Sequence, residues 1–205
     1  MSVVFAGILG ASVSAAGTGS STKDVYVSNV PDPVYSVDIA WGDFNYSWTY
    51  NQSDKSYAFK PDITCGKYTD GYPGIIAYGG YFANNTCTTQ FSGSDLTNAY
   101  VWRGVPAVIV IDNSTNGHVA SNVSFTPSSN YSWVTGKFYG GYSLQNKEMT
   151  YSNALTNGAM VRDDMDGLAQ AYLELQASNG ASHTSSVKSG DKIGTITLTI
   201  SPDTN

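Results

Sequence analysis

The sequence predicts an all-β protein, an Ig-like or jelly-roll-type β-sandwich with an extended N-terminal strand. Three observations predict it. Apolar and polar residues alternate with period 2 in short runs along most of the chain, β-branched and aromatic residues fill those runs, and Gly, Pro and Asn punctuate them. A chain of 205 residues is long enough for one large domain that hides roughly 70% of its unfolded surface.

The first element is residues 3–15. Its odd positions, among them Val3, Phe5, Leu9, Ala11 and Val13, are apolar throughout, whereas the even positions are mixed. A strand with one buried face is the leading reading, and a flexible Gly-Thr-Gly-Ser-Ser-Thr leash follows at 17–22. An apolar strand on a leash at a chain terminus is what donation to another subunit requires. A strand completing its own sheet is a second reading. A signal peptide is a third: small residues stand at Ala15 and Ala16, but no Lys or Arg precedes the apolar run. The run is too short to span a membrane, which takes about 20 apolar residues.

The body, residues 23–205, reads as a single β-sandwich domain. Strands are expected at 24–30, 35–41, 44–50, 75–78, 99–103, 107–112, 119–126, 133–139, 147–151 and 194–201. Gly42 and Asp43 mark a turn or bulge. Residues 167–177 are contested: Ala, Leu, Gln and Glu favour a helix, but Ala169, Ala171, Leu173, Leu175 and Ala177 alternate strictly with polar or aromatic positions. Alternation amid β neighbours makes this a strand. A long excursion at about 54–98 interrupts the sandwich and holds both cysteines, Cys65 and Cys87. An isolated pair with no metal-ligand spacing reads as a disulfide, which points to an oxidising compartment.

Composition narrows the function. Charged residues make up 13% of the chain, about half the usual share, and the formal net charge is −6. No Lys/Arg cluster is present to neutralise phosphates, so neither nucleic acid nor an anionic membrane surface is an expected partner. Asn-X-Ser/Thr sequons at Asn45, Asn51, Asn84, Asn113, Asn122 and Asn130 predict N-linked glycans on an extracellular surface. No metal or cofactor is expected; Asp163, Asp164 and Asp166 around a Gly turn are a weak Ca²⁺ candidate, without the spacing of an EF-hand loop. The two histidines, His118 and His183, lie in turn-like contexts with no nucleophile or metal partner evident, so no enzyme is expected. The four Trp and fifteen Tyr allow a carbohydrate-binding reading, although alternating aromatics on strands are more often sheet surface or core.

Two resemblances follow from these residues. Val37-Asp38-Ile39-Ala40-Trp41-Gly42-Asp43-Phe44-Asn45-Tyr46, the ending Gly190-Asp191-Lys192-Ile193-Gly194-Thr195-Ile196-Thr197-Leu198-Thr199-Ile200 and the stretch Ala171-Tyr172-Leu173-Glu174-Leu175 resemble β-sandwich proteins of microbial cell surfaces. The plan of an apolar N-terminal strand before a Ser-, Thr-, Asn- and Tyr-rich, sequon-bearing sandwich resembles archaeal thread and bundling-pilus subunits and the TasA family of bacterial biofilm fibres. That resemblance implies a filament subunit acting in adhesion or biofilm, with residues 3–15 entering the next identical subunit head to tail. The alternative is a monomeric surface adhesin or carbohydrate-binding module with a host surface or glycan as partner.

Overall fold

The computed structural model describes residues 19–21, 34–53, 55–69, 80–163 and 167–203. The strands expected at 24–30 and 75–78 lie outside these. The described strands are β1 (Gly19–Ser21), β2 (Val37–Trp41), β3 (Tyr46–Asn51), β4 (Ser56–Pro61), β5 (Thr64–Lys67), β6 (Tyr100–Arg103), β7 (Ala107–Asp112), β8 (His118–Pro127), β9 (Val134–Gln145), β10 (Glu148–Ala154), β11 (Ala159–Met160), β12 (Leu168–Ala177) and β13 (Gly194–Asp203).

They form an all-β, antiparallel sandwich. One sheet has the order β1-β13-β8-β11 and the other the order β10-β9-β12-β7-β2; β3–β4 and β5–β6 are separate two-stranded ribbons. Leu168–Ala177, within the contested 167–177, is strand, as the alternation predicts. Its odd positions Ala169, Ala171, Leu173 and Leu175 are buried between the sheets. They meet Val108 and Val110 of β7, Val134 and Phe138 of β9, Val123 of β8, and Leu198 and Ile200 of β13.

The five-stranded sheet has a second buried face. Ala107, Ile109 and Tyr172 pack outward against Ile63, Phe82, Cys87, Trp102 and Val105. The excursion and the β5–β6 ribbon therefore form a cover over this sheet. That explains why β7 reads Ala-Val-Ile-Val-Ile without alternation: both of its faces are dry. Cys65 on β5 is bonded to Cys87 in the cover, with 5.8 Å between their Cα atoms. Strands β4 and β5 inside the excursion and the short β11 are not expected from the sequence, and neither is β1, which places residues 19–21 of the stretch expected as a flexible leash in the four-stranded sheet. Between β2 and β3 the chain passes tightly under the Val105 carbonyl. A Cβ at Gly42 would sit 2.1 Å from that oxygen, so only glycine fits there.

Gly19 lies opposite Ile200 and Ser21 opposite Leu198, so the chain enters β1 from the Asp203 end of β13. Among the described residues, positions 194–197 of β13 are paired on the β8 side alone.

Candidate functional site

At the Gly194 end of β13 the sandwich opens into a cleft of about 960 Å³. One wall is the β3–β4 hairpin with the turn before it, contributing Phe44, Tyr46, Trp48 and Phe59; the loop 187–193 closes another side. Leu173 and Leu175 of β12, Phe125 of β8 and Ile196 of β13 also line the cleft. These four side chains belong to or pack on the sandwich core, so the cleft reaches into the core itself.

Local interactions hold the walls. Tyr46 donates its hydroxyl to the Leu173 carbonyl at 2.8 Å, tying the hairpin to β12. Asp62 N–H donates to the Asn45 carbonyl at 2.9 Å, and Ser47 Oγ donates to the Asp62 carboxylate. Trp48 packs on Phe59 with ring centroids 4.6 Å apart and meets Trp133 edge-on at 5.6 Å. The indole N–H of Trp48 is buried and has no acceptor among the described residues. Across the cleft, Tyr131 donates to the Asp191 carboxylate at 2.7 Å, anchoring the loop that closes that side. The cleft is thus a trough of mixed polar and apolar lining beside residues 194–197, which among the described residues are paired on one side alone.

The residues singled out in the sequence fall in several places. The donor-face positions Val3, Phe5, Leu9, Ala11 and Val13 lie outside the described residues. Among the sequons, Asn45, Asn51, Asn113 and Asn130 are exposed. Asn122, on β8, donates its side-chain amide to the Asn157 carbonyl at 2.8 Å. Asn84 is committed within its loop: its Oδ1 accepts from the N–H groups of Thr88 and Thr89 at 3.0 and 3.3 Å, and its Nδ2 donates to both threonine hydroxyls. Asn45 alone of the six lines the cleft.

Asp163 is exposed and makes a main-chain turn with Gly167, whose N–H donates to the Asp163 carbonyl at 2.8 Å; Asp164 and Asp166 lie outside the described residues. No group of three or more metal-ligating side chains is found among the described residues. His118 Nδ1 sits 3.3 Å from Asp112 Oδ2. His183 stacks on Trp133 with centroids 4.1 Å apart. The Trp rings expected as sugar platforms are largely engaged in packing: Trp102 is 3% exposed, and Trp48 and Trp133 are inside the hairpin cluster. No described helix is long and apolar enough to cross a membrane.

The cleft is absent from the sequence reading because its lining comes from five separated segments. The signal for it is indirect: aromatic residues at 44, 46, 48 and 59 exceed what one exposed hairpin needs. Compared with known proteins, the chain matches no family model, no curated protein and no solved structure.

Proposed function

We propose that this chain is a structural subunit of an extracellular filament, polymerising by donation of its N-terminal β-strand to the cleft of the neighbouring subunit. The observation that carries this reading is the position of the cleft. It opens into the core at the Gly194 end of β13, where residues 194–197 pair with β8 alone among the described residues, whereas the chain enters β1 from the Asp203 end of the same strand. A donor leaving one end and an acceptor opening at the other give a heterologous, head-to-tail contact that does not close and so makes a fibre.

The physical chemistry supports it. An open cleft beside a strand edge that pairs on one side alone among the described residues is an aggregation liability that a neighbour's strand removes. Residues 3–15 reach roughly 40 Å when extended, more than the length of β13. Burying Val3, Phe5, Leu9 and Val13 contributes about 1.5–3 kcal/mol each, against about 1–2 kcal/mol for each ordered backbone residue. Strand pairing along residues 194–197 must supply part of the balance. The disulfide and the sequons fit an extracellular setting.

The test is negative-stain electron microscopy of the purified full-length protein with intact-mass analysis. Thin filaments retaining residues 1–16 are expected, and deletion of those residues, or Leu9→Asp, abolishes them. Normal filaments from the deletion variant would refute strand donation. Discrete monomers at every concentration would point instead to a surface adhesin or sugar-binding module.

A further inference from the structure

We infer that Asn45 is a modification gate on assembly: an N-linked glycan at this position and a strand in the cleft exclude one another. The inference rests on reading the cleft as the strand-acceptor site. The sequon Asn45-Tyr46-Ser47 is itself a wall of the cleft, and all three residues line it while Asn45 and Ser47 stay exposed at its mouth.

The backbone that would carry the glycan is tied down on the cleft wall. The Asn45 carbonyl holds the Asp62 N–H at 2.9 Å. Next in the chain, Tyr46 is pinned to the Leu173 carbonyl, and Ser47 is bonded to the Asp62 carboxylate. Three consecutive residues are therefore tied to β12 and to the end of β4, and Asn45 keeps its place at the mouth. A glycan there is bulky and hydrated. It would stand over apolar side chains that an incoming strand must cover, and would hold water against the edge at 194–197 that the strand must pair.

The other sequons have no such consequence. Asn51 is six residues further along the same hairpin, about 20 Å away in an extended strand, and it does not line the cleft. An exposed sequon at the acceptor site and others away from it make glycan position, rather than glycan number, the controlling variable. Subunits bearing a glycan at Asn45 remain unassembled, and assembled subunits carry none there.

Both cysteines of the chain are in the disulfide, so a single introduced cysteine is a unique handle. The experiment attaches a maleimide-linked polyethylene glycol chain to Asn45→Cys and, separately, to Asn51→Cys, and measures filament yield by sedimentation and electron microscopy. Wild type and the 1–16 deletion are run alongside. The expected result is loss of polymer on labelling Asn45→Cys, measured against the unlabelled form of the same variant, and no change in yield on labelling Asn51→Cys. If wild type assembles, the deletion does not, and labelled Asn45→Cys still polymerises, the gate is refuted while strand donation stands. If wild type makes no filaments, or the deletion makes them normally, the filament reading fails and the gate falls with it. Glycopeptide mapping of native filaments gives an independent check: full occupancy at Asn45 within filaments overturns the inference.

Discussion

Tyr46 and Leu173, 127 residues apart in sequence, are joined by a 2.8 Å hydrogen bond from the phenolic hydroxyl to the main-chain carbonyl. Tyr151 donates to the same oxygen at 3.1 Å, so Tyr46→Phe leaves that carbonyl satisfied and is expected to cost about 1 kcal/mol. The variant also tests alkaline behaviour. Burial, then the neighbouring Tyr151 and Glu174, pushes the Tyr46 phenol well above its ordinary value. Burial alone pushes Tyr142 up to about 12. Such groups ionise more easily in the unfolded chain. Their stabilising effect is whole below about pH 10 and is lost as pH rises towards the folded values. Urea unfolding from pH 8 to 11 should show falling stability above about pH 10, with a shallower fall in Tyr46→Phe. An unchanged pH profile in the variant would remove Tyr46 from the account.

The disulfide encloses a long, turn-rich stretch of the cover. Cys65 and Cys87 are 22 positions apart, and in the chain-entropy model closing such a loop is worth about 3 kcal/mol. Replacing both with Ser is expected to lower stability in urea by about that amount. A loss under about 1 kcal/mol would mean that the cover holds to the sheet through Phe82 and Trp102 without the crosslink.

The β9–β10 turn contains two non-glycine residues with left-handed backbone. Gln145 faces Glu148, and Asn146 and Lys147 have φ of 51° and 67°. Asn suits such a two-residue turn, but a side chain at the second position favours Gly instead. Lys147→Gly should stabilise the fold by about 0.5–1 kcal/mol by relieving left-handed strain. A raised thermal midpoint checks it; a lowered midpoint would show that the lysine side chain matters more than the backbone.

The turn also shows where the sequence was legible. Lys147 falls in the run 147–151 expected as a strand, and nothing local announces a left-handed lysine. Alternation served well where one face is dry, as in β12, whose odd positions all enter the core. It was silent about β7, whose unbroken apolar run depends on a cover built from Ile63, Phe82, Cys87 and Trp102. Ile63, Phe82 and Cys87 lie outside the described strands, where no periodicity marks a buried face, and Trp102 sits on the four-residue β6. Strand β4 carries Lys60 and Pro61 at its end and sits in an isolated hairpin, the kind of place where proline is tolerated and strand signals are weakest. The cleft was illegible for a related reason: Phe44, Phe125, Leu173 and Ile196 each look like ordinary core positions until the topology leaves a gap between them.

Asp112 gives the last prediction. Its side chain is 2% exposed at the end of β7. Oδ1 accepts from the Ser114 N–H at 3.0 Å, Oδ2 accepts from the Val119 N–H at 3.0 Å, and His118 Nδ1 lies 3.3 Å from Oδ2. Burial favours the protonated acid, but hydrogen bonds from Ser114 and Val119, helped by His118, outweigh it and hold the carboxyl below its ordinary value. Because the folded form binds the proton less readily than the unfolded chain, the stabilisation is present above about pH 4 and is lost as pH falls towards the folded value. Asp112→Asn replaces one acceptor oxygen with an NH₂ group, which leaves either the Ser114 or the Val119 N–H facing a donor. The expected cost is about 1–3 kcal/mol at neutral pH, together with a flatter decline of stability between pH 5 and pH 2. Chemical denaturation across that range reads both effects. A variant as stable as wild type at pH 7 would mean that water satisfies the freed N–H, and that the buried carboxylate is dispensable to the β7–β8 connection.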